Sequence, residues 1–230
     1  MILHALIPAR GGSKGIPGKN LTPCAGQPLL YYSAKSALAS KLVSKTFLST
    51  DSKSIADYGS SLGLEVPFLR PSELADDESP VVETVSHFYK WLENSGQVCD
   101  GIVLLQPTSP LRSSFHIDGA IELFQKQMCT VVTICMVPHK YSPSSLMIKH
   151  GNELASIGDL KLPQLRQNKE KLWARNGPSV LIIKPDDLSR GTLYGDKIVG
   201  YEMPYLTSVD IDGMDDLKIA ESLIQSGHYD

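Results

Sequence analysis

Two stretches of the chain carry residue types that could do chemistry together. The first, "ALIPARGGSKGIPGKN" (Ala5 to Asn20), leaves an apolar run through glycines and prolines and sets Arg10, Lys14 and Lys19 within ten residues. A glycine-rich turn after a buried strand can bring backbone N–H groups close to a phosphate, and the three cations add charge, so the loop reads as a triphosphate cradle. A solvated loop with turn glycines and ordinary surface lysines is the plainer alternative. The spelling is neither GxGxxG nor a Walker A loop, since Gly18-Lys19 is followed by Asn20 rather than Ser or Thr. The second stretch, "TSVDID" (Thr207 to Asp212), places Asp210 and Asp212 two residues apart in a segment expected to be extended, so both carboxylates share one face. Magnesium takes one or two carboxylates and fills its other positions with water and substrate phosphates, a demand this pair fits. Asp212, with Asp215 and Asp216 close behind, could instead cap the last helix, which leaves Asp210 unaccounted for.

Three further stretches supply candidates. "LLQPTSPLRS" (Leu104 to Ser113) leaves a buried strand through two prolines and a cluster of hydroxyls, and loops at that end of a strand hold substrate groups. Ser113 or Ser114 can cap the helix that follows; Thr108 and Ser109 are not read as nucleophiles, because no histidine stands in a defined relation to them. In "STDS" (Ser49 to Ser52), Asp51 or Ser52 is expected to cap a helix. In "FLRPSELADD" (Phe68 to Asp77), Pro71 holds Arg70 extended, so Arg70 can project toward a base or ribose or pair with Glu73. "QLRQNKEKLWARNGPS" (Gln164 to Ser179) combines Arg166, Lys169, Lys171 and Arg175, a set that suits an anionic substrate or forms a solvated face.

The elements that must position these residues alternate. Short apolar runs at Ile2 to Ile7, Thr46 to Ser49, Val66 to Leu69, Gly101 to Leu105, Val131 to Met136 and Val180 to Ile183 read as strands. Between them, Leu29 to Leu42, Ser52 to Leu62, Val81 to Glu93 and Ile117 to Gln127 carry apolar residues at helical spacing, and Leu217 to Ile224 is a short final helix. This order implies an α/β fold, a mostly parallel sheet with helices on both faces and ligands beyond the carboxyl ends of the strands. From about 138 to 175 the pattern loosens, with weak strand signals at Ser145 to Ile148 and Leu154 to Ile157, and reads as a lid, a dimer arm or a surface excursion.

Composition bounds the partners. The chain has 230 residues, enough for one substantial α/β domain, and a formal charge of −3, which provides no basic field for a polyanion. No nucleic acid is expected. Cys24, Cys99, Cys129 and Cys135 are scattered without a CxxC pair, which fits reduced thiols in a cytoplasmic protein. No apolar stretch approaches the roughly 18 residues of a membrane span, so no membrane partner is expected.

With these stretches in order, the sequence resembles the acylneuraminate cytidylyltransferases, the CMP-sialic acid synthetases and their bacterial relatives that activate legionaminic and other nine-carbon ulosonic acids. "IPARGGSKGIPGKNL", "STDS", "LLQPTSPLR" and "SVDID" carry the resemblance, which spans nearly the whole chain. It implies a Rossmann-like nucleotidyltransferase fold in a single domain over 1–230, a dimerisation or lid arm at about 138–175, and a cytoplasmic homodimer. The implied reaction moves CMP from CTP to the anomeric hydroxyl of an acidic nine-carbon sugar for glycan biosynthesis, as in lipopolysaccharide or capsule, and releases pyrophosphate. By position, Arg10, Lys14 and Lys19 would be catalytic. Arg10, Gly11, Gly12, Asn20, Arg70 and Ser79 would bind CTP, and Gln106, Arg166 and Arg175 the sugar acid. Asp210 and Asp212 would hold magnesium, or manganese in its place. Gly11 and Gly12 stand where CMP-KDO synthetases have leucine and serine, which ranks KDO second as substrate; a DxD nucleotide-sugar glycosyltransferase is the more remote alternative. Arg175 is displaced by one position from the arginine of many sialic acid enzymes, and Pro80 replaces a serine beside the nucleotide. Both changes point to a legionaminic-type acid.

Overall fold

A computed structural model describes residues 1–157 and 171–227. In chain order the elements are β1 (Leu3–Pro8), a small hairpin of β2 (Pro23–Cys24) and β3 (Gln27–Pro28), α1 (Leu29–Leu38), β4 (Lys45–Ser49), α2 (Lys53–Ser61), α3 (Val81–Asn94), β5 (Gly101–Leu104), α4 (Ser114–Gln127) and β6 (Thr130–Met136). A second hairpin of β7 (Met147–His150) and β8 (Glu153–Ser156) precedes β9 (Trp173–Arg175), β10 (Leu181–Ile183), α5 (Pro185–Ser189), β11 (Ile198–Glu202) and α6 (Met214–Gln225).

The central sheet runs β11-β6-β10-β5-β1-β4, with β9 also on β6. Strands β4, β1 and β5 are mutually parallel, as are β6 and β11, whereas β10 is antiparallel to both β5 and β6. The expected mostly parallel sheet is therefore present, with one reversal: β9 and β10 descend beside β6 as two halves broken by residues 176–180. Period two sorts the side chains of β1. Leu3, Ala5 and Ile7 pack with Leu30 and Ala34 of α1, Ile55 of α2, and Ile117 and Phe124 of α4. Leu6 packs on the other face with Phe47, Ile102, and Val85, Phe88 and Leu92 of α3. Helices thus cover both faces, as patterning demands of a buried parallel sheet.

Three expectations need correction. Val66 to Leu69 forms no strand; single bridges, Glu65 to Phe47 and Leu69 to Thr50, tie that segment to the edge of β4. The first helix stops at Leu38 rather than Leu42, because the Ser40 hydroxyl bonds Asp118 and accepts the Leu42 and Val43 N–H groups, which competes with continued helix. Neither Asp51 nor Ser52 caps α2 with its side chain. By contrast Ser113 does cap α4, in a box closed by His116.

All four cysteines are free. Burial pushes the Cys24 and Cys99 thiols up to about 11, which leaves them protonated and unreactive near neutral pH. Among the described residues no helix is long and apolar enough to cross a membrane.

The α4 cap makes a pH-dependent prediction. His116 Nδ1 accepts the Ser113 N–H at 3.1 Å, a role open only to the neutral ring. Burial, then the Arg112 charge, holds His116 below its ordinary value of 6.5. A histidine with a lowered folded pKa contributes stability present above 6.5 and lost as pH falls from 6.5 toward the folded value. Melting temperature is expected to fall between about pH 7 and pH 5, and His116→Gln, which keeps an acceptor at the same position, should shrink that fall. Identical pH slopes for the two proteins would exclude His116 as the source.

Candidate active site

A cleft of about 300 Å³ opens where β1 and β5 end, at the point where the chain, having gone out to β4, returns across β1. This is a topological switch point, the place where open α/β sheets bind ligands. One wall is the loop after β1, with Pro8, Arg10, Gly12, Ser13, Lys19 and Asn20. The other is the segment from Arg70 to Thr84, and the floor is Gln106, Pro107 and Thr108.

The opening loop is held by its neighbours rather than by regular structure. Asn20 is buried and donates its side-chain N–H to the Arg10 carbonyl at 2.9 Å, which folds the loop back on itself. Gly11 donates its N–H to Asp51 Oδ1 at 2.8 Å, and a Cβ at Gly11 would come within 3.1 Å of Ser52. The "STDS" turn is thus the bracket of the loop, and this is why Asp51 is not a helix cap. Arg70, only 6% exposed, donates to the Thr84 hydroxyl at 2.9 Å and lies 3.9 Å from Asp51; it is not paired with Glu73. Burial lowers its pKa, partly offset by Asp51, and among the described residues its Nε and second amino group have no hydrogen-bond acceptor. A buried guanidinium with open donors on a cleft wall is built to take an acceptor from outside.

The aspartate segment meets the loop directly. Ile211 is fully buried and packs with Ile16 of the opening loop and with Leu217 and Ala220 of α6 in a small separate core. Its flanking residues, Asp210 and Asp212, therefore point away from that core. Ile211 donates its N–H to the Thr108 carbonyl at 2.8 Å and accepts from Lys19 Nζ at 2.7 Å. A Cβ on Gly15 would sit 2.2 Å from the Asp212 carbonyl oxygen, so only glycine permits that approach. Asp216, not Asp212, closes the start of α6, accepting the Asp212 and Gly213 N–H groups at 3.1 and 2.9 Å. The Asp212 carboxylate is left exposed, without a hydrogen bond among the described residues.

Asp210 is the strained member of the pair. Burial pushes its carboxyl above the usual carboxylate range; Asp212 and Asp216 push the same way, against Lys19 and the Thr108 hydroxyl, which faces it short of full hydrogen-bond geometry. Its Oδ1 is buried without a hydrogen-bond partner among the described residues, and Gly177, with φ +110°, turns beside the carboxylate where a Cβ would lie 3.1 Å away. Two carboxylates on one face, one of them carrying an unsatisfied buried oxygen, fit a hard divalent cation. Among the described residues no cluster of three or more potential ligands exists, so such an ion would take most of its coordination from water and substrate.

The remaining candidates divide. Ser79 lines the cleft, donating its hydroxyl to the Glu73 carbonyl at 2.7 Å. Gln106 lies on the floor, its carbonyl accepting from buried Arg112 at 3.2 Å. Lys14 is outside the cleft lining, its exposed Nζ 3.4 Å from Asp77 of the cleft wall. The Gly11 N–H, expected to face a phosphate, is committed to Asp51, whereas Gly12 does line the cleft. Arg175 is outside the cleft lining, its guanidinium stacked 4.9 Å over the Tyr194 ring. Arg166 lies outside the described residues.

Comparison with known proteins agrees with this geometry. Residues 4–203 match the family model described as cytidylyltransferase. The chain belongs to the cytidylyltransferase family. It is 32% identical over 232 residues to the CMP-N,N'-diacetyllegionaminic acid synthase of Legionella pneumophila, covering 98% of this chain and 97% of that one. It is 31% identical to the N-acylneuraminate cytidylyltransferase of Escherichia coli across 96% of its own length, and spans about half, 52%, of that longer protein. A CMP:2-keto-3-deoxy-manno-octonic acid synthetase complexed with CTP superposes with a TM-score of 0.76 over 99% of this chain and 100% of the other; at 14% identity the likeness is one of fold.

Several residues that shape the site of this cytidylyltransferase carry no mark in the sequence. Asp77 closes the stretch that holds Arg70, and nothing in the sequence says that it faces Arg10 and Lys14. Gly177-Pro178 is a turn dipeptide, but nothing in the sequence says the turn lies against Asp210. Asn176, buried and donating to Ser208 Oγ at 2.9 Å, braces the same turn to the aspartate segment. The Gly15 contact gives a direct test. Gly15→Ala must push the loop off the Asp212 carbonyl, a strain of about 1–3 kcal/mol, and cytidylyltransferase turnover is expected to drop about tenfold or more as the loop shifts. Wild-type turnover in the alanine variant would show that the loop and the aspartates need not touch.

Proposed function

We propose that this nucleotidyltransferase moves CMP from CTP to the anomeric hydroxyl of a nine-carbon ulosonic acid of the legionaminic type, releasing pyrophosphate. The observation that carries the reading is the direct contact of a cationic loop with a two-carboxylate segment at the switch point, in a chain similar to a CMP-legionaminic acid synthase along nearly its whole length. Arg70 and Ser79 face the cytidine side of the cleft, and the open donors of Arg70 suit a base or ribose oxygen. Arg10, Lys14 and Lys19 hold the phosphates and take up the charge of the departing pyrophosphate. Gln106 and Arg166 are assigned to the sugar acid; Arg175, stacked on Tyr194 outside the cleft lining, would have to leave that ring to join them.

The anomeric oxygen attacks the α-phosphorus, the bond from that phosphorus to pyrophosphate breaks, and the hydroxyl proton is released to solvent. Among the described residues no histidine lines the cleft. Asp210 and Asp212 would hold magnesium, which when bound neutralises phosphate charge. Lys19, tied to the Ile211 carbonyl, lies between the two charge systems and orients the phosphates relative to the carboxylates.

The protein is further proposed to be one cytidylyltransferase domain acting as a cytoplasmic homodimer. The β7–β8 hairpin exposes Met147, Ile148 and Leu154, side chains that a partner would cover, and belongs to the arm at about 138–175.

Purified protein given CTP, magnesium and a panel of legionaminic, sialic, pseudaminic and KDO-type acids is expected to release pyrophosphate fastest with a legionaminic acid. Asp212→Ala should remove nearly all of that release. Pyrophosphate release that persists undiminished in Asp212→Ala sinks the metal assignment, and a preference for KDO sinks the substrate assignment.

A further inference from the structure

Of the opening-loop cations, Lys19 is turned to a backbone carbonyl, while Arg10 and Lys14 converge on one carboxylate. Asp77 accepts from Arg10 at 2.7 Å through Oδ1 and from Lys14 Nζ at 3.4 Å through Oδ2. Asp77 stands on the opposite wall of the cleft, in a turn braced by the Ser79 hydroxyl on the Glu73 carbonyl and the Ser79 N–H on the Asp76 carbonyl at 3.3 Å. A single side chain therefore spans the mouth from one wall to the other.

Ion pairs this open, with side-chain exposures of 31% for Arg10, 36% for Asp77 and 73% for Lys14, contribute little to folding. Their effect on ligands is larger. Any anion that uses Arg10 and Lys14 must first displace Asp77, so its apparent affinity is divided by the same factor, set by how firmly the carboxylate holds the pair. A singly charged anion exchanges one carboxylate-like partner for another and gains little from it. A polyphosphate brings several charges, spans both cations and keeps useful affinity after the division.

We propose that Asp77 is an internal counter-ion of the phosphate cradle, which lowers the affinity of every anion for Arg10 and Lys14 by a common factor, so that weakly held anions fall below useful binding while a polyphosphate stays above it. The proposal rests on the reading above that the cradle takes CTP. In that reading both substrates are anions, and the carboxylate of the sugar acid is the one that must be kept from Arg10 and Lys14. The same competition acts on pyrophosphate after the reaction, where re-pairing of Asp77 with the two cations opposes retention of the product.

The test is calorimetric titration of the full chain with inorganic pyrophosphate and, separately, inorganic phosphate, without nucleotide. Asp77→Asn is expected to bind both more tightly, by about three- to tenfold and by the same factor for each. Asp76→Asn removes the adjacent cleft carboxylate, which pairs with neither cation among the described residues, and should change both by less than twofold. Unchanged or weaker binding in Asp77→Asn, or an equal gain in Asp76→Asn, overturns the proposal, the first by making Asp77 a tether and the second by making the effect one of general charge. Asp77→Ser, with melting curves for every variant, covers the case in which asparagine disturbs the turn. Wild-type protein that neither binds CTP nor releases pyrophosphate would instead remove the functional reading, an outcome these anion titrations leave separate.

Discussion

Ile211 is the residue on which the site depends. Its side chain is fully buried with Ile16, its N–H is given to the loop after β5 and its carbonyl to Lys19 of the loop after β1. Burying a side chain of this size is worth about 1.5–3 kcal/mol, and here that gain fixes backbone as well as packing. Three separate pieces of chain are brought into register by one residue. The period of an extended segment then does the rest: with Ile211 inward, Asp210 and Asp212 face away from that small core, outside the cleft lining itself but beside Thr108 and Lys19, which belong to it.

Charge explains why the two halves of the cleft belong together. The loop gathers cations that, left alone, would repel, and the structure meets them with Asp51 behind the loop and Asp77 across from it. On the other side, Asp210 is burdened by burial and by two neighbouring carboxylates, with only Lys19 and Thr108 to offset them. Neither half is at rest with its own partners. A triphosphate carrying a divalent cation would relieve both, its anionic oxygens going to the loop and its cation to the aspartates. The small core around Ile211 keeps the two halves from drifting apart before such a ligand arrives.

Much of this was legible in the sequence because it rests on local rules. Alternating apolar periods gave β1, β4, β5 and β6 and the helices between them, and the loop and the Asp210-Ile211-Asp212 triplet stood out by residue type and spacing. What was not legible is non-local. The reversal of β10 lies in its partners: Leu181–Ile183 runs antiparallel between β5 and β6, and an apolar run of three residues reports burial but not direction. Asp51 looks like a helix cap because it precedes α2, yet its carboxylate is claimed by Gly11, 40 residues earlier. Arg175 sits in a basic run, but on β9 its guanidinium lies on Tyr194 instead of in the cleft. In each case a tertiary partner overrode a sound local preference.

The most direct test of a two-sided grip is the affinity for CTP measured by calorimetry with and without magnesium, in the wild type and in Asp212→Asn. Magnesium should tighten CTP binding in the wild type, and the substitution should abolish that gain while CTP alone binds no more weakly than before. A magnesium-dependent gain of undiminished size in Asp212→Asn would contradict the proposed role of the aspartates and leave the cationic loop as the sole holder of the phosphates.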